Sequence, residues 1–172
     1  MSVPLPAPLW RRLIAALYDG LLLVALWMVA ALVDTLIGQQ LLDLPRSRAL
    51  QMAYFFLVGL GFFGWFWTHG GQTLGMRAWR LRARRSDGQP MRWLSAATRY
   101  AAMLLLWLGL PIAITLLASP RIAANHPQAP LIIGGLLAFA ACALLFALLD
   151  PRRRTPHDWI SGTEVIVEPK AN

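Results

Sequence analysis

Residues 131–149 read LIIGGLLAFAACALLFALL, nineteen positions without a charge, an amide or a hydroxyl. Lipid offers a backbone no hydrogen-bond partners, so a helix that crosses the hydrocarbon core needs about 20 mostly apolar residues. This stretch has that length. Residues 49–68, ALQMAYFFLVGLGFFGWFWT, form a second such run. Residues 13–33 form another, interrupted by Asp19, and residues 96–117 one more, with Arg99 near its start. The fold expected is an all-α membrane protein, a four-helix transmembrane bundle forming one domain over residues 1–172.

Composition agrees. The chain of 172 residues is 58% apolar and 14% charged, against about 25% charged in soluble domains. Those values exclude a disordered or coiled-coil chain and argue against a water-soluble globule. The first span opens on Arg11-Arg12 and carries Ala30-Ala31, as a cleaved leader would. Its apolar stretch is too long for one, and Asp19 interrupts it, so it is expected to stay as a span. Cys142 is the only cysteine, which excludes an internal disulfide framework and a cysteine-based zinc site.

The net charge is +8, and its distribution sets the orientation. Arg11 and Arg12 precede the first span. The central loop, residues 69–95, and the start of the third span carry Arg77, Arg80, Arg82, Arg84, Arg85, Arg92 and Arg99. The tail, residues 150–172, carries Arg152, Arg153, Arg154 and Lys170. The opposite side has Arg46, Arg48 and Arg121, so the division is thirteen basic residues against three. The positive-inside rule then places both termini and the central loop in the cytoplasm. Charge of this kind needs no nucleic acid to explain it. Trp10, Trp65, Trp67 and Trp93 fall near cytoplasmic span ends, at headgroup depth. Trp27 and Trp107 lie deeper, as packing residues.

The central loop is too long for a plain connection. Gln72–Arg77 suits a short helix or turn at the interface. Trp79-Arg80-Leu81-Arg82-Ala83-Arg84 alternates apolar residues with arginine, the period of a strand with one wet face, and Asp87-Gly88 is a turn signal. Thr163–Glu168 in the tail is a second short strand candidate. Pairing of the two runs would set glutamates beside arginines. The alternative is a pair of irregular segments on anionic lipid headgroups, with Arg80, Arg82 and Arg84 each contributing about 1 kcal/mol.

Asp19 is the acid that needs a partner. It lies seven residues from Arg12, nearly two helical turns, so the two share a face about 10 Å apart. Arg99 enters from the same side of the membrane to a similar depth and is the partner expected for Asp19. One reading of that pair is a salt bridge that packs the first and third spans. The other is a titrating or ligand-binding carboxylate in a polar cavity. Asp150 and Asp158 bracket DPRRRTPHD after the fourth span, where the arginines keep them ionised. His157 beside Asp158 lacks an activated nucleophile. Gly70 and Gly75 have P-loop spacing, but Met76-Arg77 replaces the required Lys-Ser/Thr. His69, His126 and His157 fall on different loops and predict no metal site. No enzyme activity and no cofactor are expected. Gly134, Ala138 and Cys142 form a small-residue stripe that lets another helix approach closely, expected to pack inside the bundle in preference to a dimer contact.

Taken together, Arg12-x-x-Ala15-x-x-x-Asp19, Gly71-Gln72-Thr73-Leu74-Gly75 and His157-Asp158-x-x-x-Gly162-Thr163 resemble the RDD family of bacterial multi-pass membrane proteins, from Arg12 to about Val167. One arginine and two aspartates give that family its name, and the match assigns them to Arg12, Asp19 and Asp158. Met76 departs from the pattern, where a basic residue is expected. The resemblance implies more about fold than activity; transport of unidentified ligands has been proposed for the family, and some members are linked to sodium/proton exchange.

Two functional expectations follow. One is a small transporter or transporter subunit for a cation, a proton or an unidentified ligand, with Asp19, Arg12 and Arg99 coupling the ion and a homo-oligomer completing the pathway. The other is a non-transporting scaffold or accessory subunit, whose arginine-rich cytoplasmic face binds a protein or anionic lipid headgroups.

Overall fold

The computed structural model describes residues 5–41, 47–119, 121 and 127–168. Arg46, His126 and Lys170, named above, lie outside the described residues, as does the side chain of Trp107. Helix α1 (Leu9–Val33) continues as a π-helical segment, Asp34–Leu41. Then come α2 (Arg48–His69), α3 (Leu74–Ala78), strand β1 (Leu81–Arg85), α4 (Trp93–Ala118), α5 (Ala129–Leu149), α6 (Pro156–Ile160) and strand β2 (Thr163–Val167). Among the described residues three helices are long and apolar enough to cross a bilayer: Leu9–Gly38, Arg48–His69 and Ala129–Leu149. Helix α4 covers the third expected span.

Helix α1 packs on α2, α2 on α4, and α4 on α5. The inward face of α1 is Arg12, Ala15, Asp19 and Leu23, the three-and-four spacing of one helical stripe. Leu23, Phe63, Trp67, Tyr100 and Met103 belong to the buried core. The outside is as apolar as the inside: Met28 is 69% exposed and Leu105 73%. Such a surface suits lipid, not water.

Two expectations about packing are corrected. Trp67 is only 1% exposed and packs on Phe63, with ring centroids 5.0 Å apart, instead of reaching headgroups. The stripe Gly134, Ala138 and Cys142 points outward; Ala129, Ala143 and Ala147 form the buried face of α5. The reason is helical phase: at about 100° per residue Gly134, Ala138 and Cys142 lie nearly on the opposite side of α5 from Ala143 and Ala147.

At one end of the bundle the loop and tail fold together. Strands β1 and β2 pair antiparallel, with Arg84 opposite Glu164 and Arg82 opposite Ile166. Leu81 and Ala83 turn inward and are buried, as the alternation predicts. The strand begins two residues later than the pattern suggests. Helix α3 runs to Ala78, and Arg80 takes a left-handed backbone, φ 56°, so the first apolar–arginine pair makes a corner. Both sheet edges are covered. Val165 O accepts from Ala7 N at 3.0 Å and Leu5 O from Val167 N at 3.1 Å on one side; Gly71 O accepts from Ala83 N at 2.7 Å on the other. Unpaired edges invite association with other chains, and these are closed.

Candidate functional site

The polar residues singled out from the sequence gather under this small sheet in two buried clusters. The first surrounds Asp158, whose side chain is fully buried. Arg12, from the first turn of α1, and Arg99, from the second turn of α4, each form an ion pair with it. Thr155 adds its backbone N–H at 2.9 Å and its hydroxyl at 2.7 Å. Two guanidinium groups and two neutral donors thus fill the acceptor sites of one carboxylate. Arg12 also donates to the carbonyl of Arg153, and Arg99 donates to Thr163 Oγ1 at 2.7 Å. The guanidinium of Arg99 lies 5.0 Å from the ring centre of Trp67, a cation–π contact in a desolvated place.

The local sequence explains the seat of Asp158. Thr155-Pro156-His157-Asp158 has the spacing of a capping box, with proline where the first helical N–H has no acceptor to find. Asp158 is therefore both a cap of α6 and the anion of the cluster. Burial alone would raise its carboxyl; the charges of Arg12 and Arg99 outweigh that and hold it well below the ordinary carboxylate range. Burial pushes the neighbouring His157 imidazole down to about 3; the Asp158 charge opposes this, and the two arginines add to it. A carboxylate held by two guanidinium groups is a poor base. At neutral pH the cluster holds two cations and one anion.

The second cluster centres on Asp19, which is 3% exposed. Its carboxylate accepts from the Thr73 hydroxyl and from Gly75 N, the latter at 2.9 Å. Thr73 caps α3, its hydroxyl accepting from Met76 N at 3.2 Å. A Cβ on Gly75 would stand 2.4 Å from the carbonyl oxygen of Ala15, so only glycine allows α3 to approach α1 this closely. The Gln-Thr-Leu-Gly element is thus a plug seated on the first span. Gly71, with φ 71°, lets the chain leave α2 against β1, and Gln72 donates to Leu81 O at 2.8 Å and Glu168 Oε2 at 3.1 Å.

The expected partnership of Asp19 with Arg99 is corrected by this geometry: Arg99 pairs with Asp158, and Asp19 is satisfied by α3. The tail brings a second carboxylate to the level of Arg12, while Asp19 lies about 10 Å deeper along α1. Asp150 stays outside both clusters and accepts from Arg154 N at 2.9 Å and Nε at 3.0 Å, contacts that lower its carboxyl pKa. Arg84 pairs with Glu164 at 2.7 Å and Arg82 with Glu168 at 2.6 Å, so the outward arginines brace the sheet. Thr155 was not singled out from the sequence, although its capping-box spacing could have found it. Thr163 was read only as the end of a motif and the start of a strand, and Trp67 only as a ring at headgroup depth; nothing local marks either as a partner of Arg99. Among the described residues no group of three or more His, Cys, Asp or Glu is placed to hold a metal.

Comparison with known proteins adds one match. The model of the RDD family covers residues 6–162. No curated protein and no solved structure matches the chain.

Proposed function

The chain belongs to the RDD family, a family of membrane proteins, and from that premise we propose that it is a four-span scaffold or accessory subunit of the bacterial inner membrane, without catalytic or transport activity of its own. In this reading α4 is the remaining span: its 26 residues reach about 39 Å, against a hydrocarbon core of about 30 Å. Both ends of the chain and the sheet lie on the cytoplasmic side, where the arginine-rich cap meets an anionic partner, protein or lipid headgroup. The observation that carries the reading is the state of Asp19. A carboxylate that serves an ion pathway needs access to it, and this one is closed by Thr73 and Gly75. It works as the anchor that fixes the central loop to the bundle.

A buried carboxylate inside a span also supports the second reading, transport, in which α3 would lift to expose Asp19. Cation-driven proton flux in proteoliposomes separates the two. The scaffold reading expects no flux above empty liposomes with Na+, K+ or Li+, and a lower folded yield for Asp19→Asn. Flux by the wild-type protein that Asp19→Asn abolishes at normal yield would overturn it.

A further inference from the structure

The second face of α6 is unaccounted for by the joint it helps to build. Asp158 points inward and is fully buried, yet the next two residues, Trp159 and Ile160, are 61% and 63% exposed. A five-residue helix with a buried carboxylate on one side and two large apolar side chains on the other is amphipathic over little more than one turn. Its surroundings say what covers the apolar side. Helix α6 contacts the ends of two long helices, α4 and α5. The last two residues of α5, Leu148 and Leu149, are 66% and 74% exposed, so the lipid-facing surface of that helix runs up to the turn before α6. Arg152 and Arg153, in that turn, are exposed as well.

A level is defined by tryptophan. Trp10 in the first turn of α1, Trp65 in the last turn of α2 and Trp93 at the start of α4 are 52%, 58% and 49% exposed. All three stand at the sheet-bearing end of the bundle, and Trp159 joins them there. An amphipathic ring finds its best place where acyl chains give way to headgroups, and a girdle of such rings marks that boundary.

We infer that α6 is an interfacial foot: Trp159 and Ile160 insert among the acyl chains of the leaflet adjoining the sheet, Arg152 and Arg153 meet anionic headgroups above them, and the membrane surface thereby seats Asp158 between Arg12 and Arg99. Lipid is then a component of the arginine–aspartate joint. The inference holds whether the protein scaffolds or transports, because it concerns only where α6 lies.

The test uses the full chain in nanodiscs, with Cys142→Ala removing the only native thiol and single nitroxide labels at three positions. Ile160→Cys reports the foot, Phe139→Cys on the outer face of α5 the lipid reference, and Gln89→Cys beside the sheet the water reference. A label at Ile160 should collide with oxygen nearly as often as that at Phe139, and with a water-soluble nickel chelate several-fold less often than that at Gln89. Replacing neutral lipid with phosphatidylglycerol should deepen the label. In the otherwise native chain, Ile160→Asp should raise amide exchange over residues 155–160 about tenfold, while Ile160→Leu leaves it unchanged. Nickel accessibility at Ile160 equal to that at Gln89 would overturn the inference, whatever the variants do. So would a label shielded from both reagents, since that would mark a protein partner or second copy as the cover.

Discussion

At the scale of the residue, the molecule depends most on one carboxylate. Asp158→Asn removes the charge but keeps the shape, leaving Arg12 and Arg99 buried against an amide. Breaking a buried pair costs about 3–5 kcal/mol, so this variant should lose at least about 3 kcal/mol in denaturant unfolding. Asp150→Asn, whose partner is a single arginine nearer the surface, should lose under about 1 kcal/mol. His157 sets the pH dependence. Its imidazole titrates near 6.5 in an unfolded chain and near 3 in the fold, so the unfolded state binds the extra proton between those values. Stability is therefore complete above pH 6.5 and falls toward pH 3, by up to about 1.4 kcal/mol per unit. The Asp158 contribution adds to the loss lower down: its carboxyl is depressed in the fold, so its stabilisation fades only below the ordinary range near 3.9. Thermal unfolding in nanodiscs from pH 7.5 to 4 should show a falling midpoint, and His157→Asn should flatten it. Arg12, Asp19 and Asp158 were legible from their motif spacing, but their partners were not. Arg12 and Asp158 meet across 146 positions, and a charge names no partner by itself. Depth along the helix suggested Arg99 for Asp19; only the folded tail shows a better-placed acid.

At the scale of the element, close approach is controlled by small residues. Gly75→Ala would drive a Cβ against the Ala15 carbonyl and to 2.9 Å from Asp19 Oδ1, and should cost about 1–3 kcal/mol by displacing α3. Gly61→Ala, with nothing within 4 Å of its Cβ, is the control: it should be neutral or stabilising in the same thermal assay, because alanine favours the helix. In the sheet, Arg84→Glu would face Glu164 and reverse a favourable cross-strand pair, at about 1 kcal/mol; adding Glu164→Arg should restore most of it, read as hydrogen-exchange protection of β2. Pairing of the two strands was legible because alternation sorts Leu81 and Ala83 from the arginines. The covering segment at Leu5–Ala7 was not. Pro6 has no N–H to give a ladder, so the segment makes a single bridge, to Ile166, and reads as loop.

At the scale of the whole molecule, an apolar exterior carries a polar cap at one end. The hydropathy of the long helices was legible at once, because lipid removes the need for a polar outer face. The phase of α5 was not, since a helix apolar all round hides which side is inward. Topology is tested with Cys142→Ala and single cysteines at Gln89 and Gln128. The four-span arrangement expects an impermeant thiol reagent to label Gln128→Cys in intact cells, and Gln89→Cys only after permeabilisation. The joint between Arg12 and Asp158 also has a consequence in time. A ribosome working at about 5–20 residues per second needs roughly 7–30 s to make the chain between them. Arg12 waits through the whole of that interval and Arg99 through its last 59 residues, each a guanidinium group whose counter-charge has not yet been synthesised. Closure of the joint is therefore a late act of assembly, and a nascent chain halted between α4 and the tail would present two orphan cations at the bilayer surface, a mark by which an unfinished copy differs from a finished one.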